Sequence, residues 1–188
     1  MSQDELNLLI AGEGGQGVQS LGKIISEAAF KENLQVTLIP NYGIEQRGGV
    51  TLVFIKFRRT KPIVYPKFSQ ADILIWLSDR AVKRTEQYLG KNTIVIYNQG
   101  FVHNLRNKGY LAVNFDKLGT EIGSNRVINM LLFGLLFNPH LKINLGNWLK
   151  FNKIKDNIQK KFAKYYEKNP KLKDWNERAL IKGYQLTL

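Results

Sequence analysis

Six residues near the start of the chain, Gly12-Glu13-Gly14-Gly15-Gln16-Gly17, have the types and spacing to hold an anion. They satisfy G-x-G-x-x-G. They follow the apolar run Leu6-Asn7-Leu8-Leu9-Ile10-Ala11 and precede a stretch in which Val18, Leu21, Ile24, Ile25, Ala28 and Ala29 recur with a helical period. Glycines permit a tight turn and close backbone approach, and a helix N-terminus presents unpaired N–H groups, so a phosphate is the expected partner. The plainer reading is that the glycines only let helix and strand pack closely. Four glycines in six residues ahead of a helix favour the anion.

Two familiar phosphate chemistries fit poorly. A dinucleotide site wants an acid at the end of the second strand to hold the ribose hydroxyls. Gln35 to Asn41 contains none; Glu32 precedes that strand and Glu45 lies well into the following loop. Gly17-Val18-Gln19-Ser20-Leu21-Gly22-Lys23 matches G-x-x-x-x-G-K, but Ile24 stands where a Mg²⁺-binding hydroxyl is required. That stretch also lies inside the helical period.

The second candidate is the loop Asn41-Tyr42-Gly43-Ile44-Glu45-Gln46-Arg47-Gly48-Gly49. Loops at the carboxyl ends of parallel strands line the ligand side of such sheets, so it should lie near the first glycine turn. Arg47 can grip a phosphate or carboxylate bidentately, and Gly48 and Gly49 let the backbone pass close to a ligand. The alternative is that Glu45 pairs with Arg47 and merely stiffens the loop.

The elements that must carry these loops alternate. Leu6–Ala11, Gln35–Ile39, Val50–Phe57, Asp72–Leu77 and Thr93–Tyr97 read as strands, and Ile63-Val64-Tyr65 reads as a short strand pairing beside the third. Helices are expected after the glycine turn, from Ser78 or Asp79, and from Ser124 to Phe137. This is α/β order: a three-layer, Rossmann-like domain with a mostly parallel sheet, occupying residues 1–188, and a helical C-terminal segment over about 140–188. In that segment Leu145, Leu149, Ile154, Ile158, Phe162 and Tyr165 recur at helical spacing with lysines between them, the pattern of an amphipathic helix.

Composition bounds the chemistry. With 188 residues, 44% of them apolar, the chain can build one ordinary core. It has no cysteine and two histidines, so disulfides, thiolate zinc sites and cysteine-ligated iron–sulfur clusters are excluded from it. No secretory signal or membrane span is evident, and the expected location is the cytoplasm. The net charge of +13 is uneven: residues 140–188 hold 12 Lys/Arg against 4 Asp/Glu. Such a segment suits an acidic partner, yet a solvated helix face is the plainer account, and no nucleic-acid motif accompanies the charge.

Together the two loops resemble the gamma subunit, or gamma domain, of 2-oxoacid:ferredoxin oxidoreductases. Gly12 to Val18 is similar to that family's G-x-G-G-Q-G-V segment, and Tyr42 to Gly49 to its Y-G-x-E-x-R-G-G segment. Pro66 with Ala71-Asp72-Ile73-Leu74, Asn129-Met130 with Gly134, and Asn176 to Leu180 with Gly183-Tyr184 resemble later motifs in the same order. The resemblance implies a non-redox subunit of an enzyme that converts a 2-oxoacid, coenzyme A and oxidised ferredoxin into acyl-CoA, CO₂ and reduced ferredoxin. It implies that thiamine diphosphate, Mg²⁺ and iron–sulfur clusters reside on alpha-, beta- and delta-type partner subunits, with no nucleic acid or membrane involved. The gamma domain would help enclose the active site and bind coenzyme A. The candidate cofactor-binding residues are then Gly12, Gly14, Gly15, Gln16, Gly17, Tyr42, Glu45, Arg47, Gly48 and Gly49; none is a catalytic acid, base or metal ligand. Tyr42-Gly43 leans toward enzymes acting on 2-oxoglutarate, pyruvate or branched-chain oxoacids. The alternative is a stand-alone Rossmann-like nucleotide-binding protein or an NAD(P)-linked oxidoreductase.

Overall fold

A computed structural model describes residues 4–42, 49–103, 105 and 109–188. The chain forms two compact units, residues 1–113 and 114–188.

The first unit is a sheet of six strands with a helix on each face. The strands are β1 (Glu5–Glu13), β2 (Gln35–Tyr42), β3 (Val50–Arg58), β4 (Ile73–Trp76), β5 (Ile94–Asn98) and β6 (Leu111–Val113), in the order β2-β3-β1-β4-β5-β6. β1, β4, β5 and β6 pair in parallel; β3 runs antiparallel to both its neighbours, β1 and β2. The sheet is therefore mostly parallel, as expected. β1 and β2, joined through α1 (Val18–Lys31), are separated by β3 instead of lying side by side.

Eight of the nine residues of β3 are buried, because both its faces are covered. On one face Gly22 of α1 lies against Val53 and Leu38; an added Cβ would come within 2.5 Å of Val53 Cγ1. On the other face Leu52, Phe54, Leu74 and Trp76 form one cluster with Ala81 of α2 (Asp79–Thr85). Strand residues alternate between faces, so neighbours on β3 serve opposite helices. Ser78 caps α2, its hydroxyl accepting from the Ala81 N–H at 3.3 Å. Trp76 Nε1 donates to Thr85 Oγ1 at 2.7 Å, which satisfies the indole inside the core.

Ile63-Val64-Tyr65 is not a strand: the segment forms no ladder, and Val64 and Tyr65 are 74% and 78% exposed. No strand can pair beside β3 there, since β3 already has β1 and β2 on its two sides.

The second unit is helical. α3 (Phe115–Ile122) is capped by Asn114, whose side chain accepts from the Lys117 N–H, and ends at Gly123 in the left-handed region. A 3₁₀ turn (Asn125–Val127) leads into α4 (Ile128–Leu136), buried over seven consecutive residues, Met130 to Leu136. α5 (Phe151–Lys168) and α6 (Pro170–Tyr184) follow. α4 and α6 cross backbone to backbone, because Gly134 lies on the Leu180 carbonyl and Gly183 on the Leu131 carbonyl.

The expected C-terminal amphipathic helix starts later and turns differently. Leu145 sits in a separate 3₁₀ turn, Leu149 precedes the helix, and Tyr165 is 65% exposed while Tyr166 is buried. From Ile154 the buried face advances by four residues, through Ile158 and the half-buried Phe162, and so reaches residue 166. There Asn176 Nδ2 of α6 donates to the Tyr166 hydroxyl at 3.1 Å.

Candidate functional site

The carboxyl ends of β1, β2, β4 and β5 and the start of β3 share one edge of the sheet. Their registers fix this: Glu13 opposes Val50, Tyr42 opposes Thr51, and Ala11, Trp76 and Tyr97 lie level across β1, β4 and β5. The glycine turn leaves this edge from β1.

Each residue of the turn has a distinct task. Gly12 is still in the strand and buried; a Cβ there would meet Gln16 Oε1 at 2.6 Å and Val18 Cγ2 at 2.9 Å. Gly14 donates its N–H to the Gly49 carbonyl at 3.1 Å. Gly15 has φ +96 and Gly17 φ +73, conformations that side chains resist. Nothing among the described residues lies within 4 Å of a Cβ placed on Gly15, so the outer surface of the turn is open. Gly17 precedes α1 without a side-chain cap, and the first intrahelical bond is Leu21 N–H to the Gly17 carbonyl at 3.0 Å. Among the described residues no side chain caps the N–H groups of the first turn of α1.

Gln16 works inward. Its Oε1 accepts the Glu13 N–H at 2.7 Å, and its Nε2 donates to the Leu77 carbonyl at 3.0 Å. The amide thus closes the turn on itself and ties it to the end of β4. Gln16 shapes the turn through this bracing. Its side-chain bonds could not have been read from a G-x-G-x-x-G match alone.

The second loop is anchored at both ends, to the glycine turn and to the helix that follows it. On its entry side Tyr42, 59% exposed, donates its hydroxyl to Gln19 Oε1 in the first turn of α1 at 3.0 Å. On its exit side the Gly49 carbonyl receives the Gly14 N–H. Gly49 is thus brought to the glycine turn and Tyr42 to the start of α1. Glu45, Arg47 and Gly48 lie outside the described residues.

Beside this edge, the turn after β5 is set by Asn98, whose side chain accepts the Gly100 N–H at 3.3 Å, and by Asp79, which accepts the His103 N–H at 2.8 Å. Sequence reasoning did not single these out. Among the described residues, no group of three or more His, Asp or Glu side chains could hold a metal ion. No helix among them is long and apolar enough to cross a membrane. The arrangement can bind an anionic group through backbone dipoles.

Comparison with known proteins matches residues 7–186 to the family model described as pyruvate ferredoxin/flavodoxin oxidoreductase. A curated relative, 2-oxoglutarate synthase subunit KorC of Archaeoglobus fulgidus, is 28% identical over 157 residues, covering 82% of this chain and 83% of its own length. Among solved structures, the gamma subunit of a keto/oxoacid ferredoxin oxidoreductase from Geobacter sulfurreducens superposes with a TM-score of 0.72 at 20% identity, covering 96% of each chain. The 2-oxoglutarate:ferredoxin oxidoreductase of Magnetococcus marinus, solved with 2-oxoglutarate, coenzyme A and succinyl-CoA bound, gives a TM-score of 0.78 at 22% identity; the match covers 97% of this chain and 31% of that one. At those identities the two structures establish a shared fold.

Proposed function

The chain belongs to the pyruvate ferredoxin/flavodoxin oxidoreductase family, and we propose that it is the gamma-type subunit of a cytoplasmic, thiamine diphosphate-dependent 2-oxoacid:ferredoxin oxidoreductase. Its whole length acts as one gamma-type domain. The complex would take a 2-oxoacid, coenzyme A and oxidised ferredoxin to acyl-CoA, CO₂ and reduced ferredoxin. The two electrons released on decarboxylation leave through ferredoxin, and the coenzyme A sulfur forms the new thioester bond. Thiamine diphosphate, with Mg²⁺, would supply carbanion stabilisation, and iron–sulfur clusters on alpha-, beta- and delta-type partners would carry the electrons.

This chain's share is binding and positioning. The observation that supports the reading is the anchorage of the two ends of the second loop, Gly49 to Gly14 of the glycine turn and Tyr42 to Gln19 at the start of α1. The N–H groups at Gly15, Gly17 and the start of α1 would hold the phosphates of coenzyme A, with Gly12, Gly14 and Gln16 keeping the turn in shape. Arg47, two residues before Gly49, would add a bidentate contact, with Gly48 and Gly49 giving clearance and Glu45 setting its direction. Holding the cosubstrate converts an encounter in solution into a positioned one, and a rigid domain over the site excludes water from the reacting carbon.

Affinity purification from the native cell tests the reading. Larger subunits should co-purify with iron and thiamine diphosphate, and the preparation should reduce a dye only with both a 2-oxoacid and coenzyme A. In that complex Arg47→Ala should raise the KM for coenzyme A about 10-fold or more, a loss of about 1.4 kcal/mol. A partnerless chain, or an unchanged KM, would overturn the subunit role or the site respectively.

A further inference from the structure

Toward the end of the sheet opposite the glycine turn, three polar side chains stand in one row. Lys56 of β3 opposes Asn7 of β1 on one side and Thr37 of β2 on the other. All three belong to the face that carries Leu9, Ile39 and Phe54, since each lies two residues from one of these along its strand. Lys56 is 7% exposed. An ammonium group at that depth needs acceptors for its three N–H bonds. Among the described residues it meets Glu5 Oε1, at 3.3 Å. That oxygen is shared, because Asn7 Nδ2 also donates to it at 3.2 Å, while the other Glu5 oxygen takes Arg58 Nε.

The two residues that flank Lys56 have the opposite need. Asn7 Oδ1 and Thr37 Oγ1 are both buried, and neither has a hydrogen-bond partner among the described residues. A buried oxygen left bare carries its full desolvation cost. Lys56 can only donate, Asn7 Oδ1 can only accept, and the Thr37 hydroxyl can do either. Whatever satisfies them together must accept one hydrogen bond and donate another. It must also be neutral. A cation would face the Lys56 ammonium, and an anion would face the Glu5 carboxylate and the Asn7 amide oxygen. It must be small as well, because opposed residues on neighbouring strands have Cβ atoms about 4.5–5.5 Å apart. Water meets all of these conditions.

We propose that this row is a buried solvent site, in which ordered water accepts from the Lys56 ammonium and donates to Asn7 Oδ1 and Thr37 Oγ1. Bound there, water lets the lysine keep its charge inside the covered face. It also links β1, β3 and β2 through their side chains, in addition to the backbone ladders.

A high-resolution crystal structure of the full-length chain tests the placement. Water should lie within about 3.2 Å of Lys56 Nζ and of Asn7 Oδ1 or Thr37 Oγ1. A direct bond from Lys56 to either oxygen, or a protein group seated on both, would overturn the proposal. Thr37→Val gives a second answer in solution, because the two accounts predict opposite signs. With water bound, valine removes one of its partners, and the folding equilibrium constant should fall about 5-fold in urea titration. Without water, the variant exchanges a bare buried hydroxyl for a methyl group in a strand that valine suits, so stability would hold or rise. That result would refute the site. A double-mutant cycle of Thr37→Val with Lys56→Met closes the test. Two side chains joined through water should show a coupling of about 3-fold or more, whereas strict additivity would count against a shared water.

Discussion

Gln16 illustrates how one side chain can hold a glycine turn in shape. Its amide joins Glu13 to Leu77, so the turn keeps its shape without help from a ligand. Gln16→Ala should remove both bonds and leave the Leu77 carbonyl without that donor, costing about 1–3 kcal/mol of stability by denaturant titration. Coenzyme A affinity of the complex should fall as well, since the turn's N–H groups lose their alignment. At the opposite edge of the sheet, Glu5 accepts from Arg58 Nε at 2.6 Å and lies 3.3 Å from Lys56 Nζ. Burial pushes its carboxyl upward, but the bonds from Arg58 and Asn7 and the charge of Lys56 outweigh this and hold it below the ordinary glutamate value. A carboxylate with a lowered folded pKa adds stability above its unfolded pKa, and that stability disappears as the pH falls through the folded value. Glu5→Gln should therefore cost about 1–2 kcal/mol at pH 7, and the gap from the parent should narrow as the pH falls below the ordinary glutamate value and through the lowered folded one. A gap independent of pH in thermal melts would refute the ion-pair account.

At the scale of elements, the crossing of α4 and α6 is the tightest joint in the helical unit. A methyl group at Gly134 or Gly183 would overlap a backbone carbonyl of the facing helix, and a backbone cannot rotate aside as a side chain can. Gly134→Ala and Gly183→Ala should each destabilise by about 3 kcal/mol, at the upper end of overpacking costs. Gly15→Ala is the informative contrast. Its Cβ would meet nothing among the described residues, so only the left-handed backbone, φ +96, resists it, at about 1 kcal/mol. Unfolding curves for the three variants compare the two kinds of glycine directly. The motif residues Gly134 and Gly183 could be recognised in the sequence, but their meeting could not, because nothing local says which helices touch. β6 and α3 were not anticipated either. Three residues, Leu111–Val113, are too few for a period, although Asn114 and Gly123 do bracket the short helix with ordinary cap residues.

For the whole molecule, the chain contains no cysteine, so it cannot itself hold a cysteine-ligated iron–sulfur cluster. The purified chain alone should show no dye reduction with any 2-oxoacid and coenzyme A, and adding the partner subunits should restore it. Turnover by the isolated chain would overturn the division of labour. The sequence by itself determined the α/β order, the glycine turn at a strand–helix junction and the family. These depend on period, composition and contiguous motifs, all of which are local. Only the tertiary structure decided that β3 lies between β1 and β2, that the Gln16 amide braces the turn, and that the ends of the second loop are tied to the glycine turn through Gly49 and Gly14 and to the start of α1 through Tyr42 and Gln19. It also decided that Tyr166 and not Tyr165 enters the core. Strand order and register, side-chain hydrogen bonds across many residues, and the choice between adjacent aromatics all depend on what else comes to lie alongside. Long-range packing settles that, and no window of the sequence contains it.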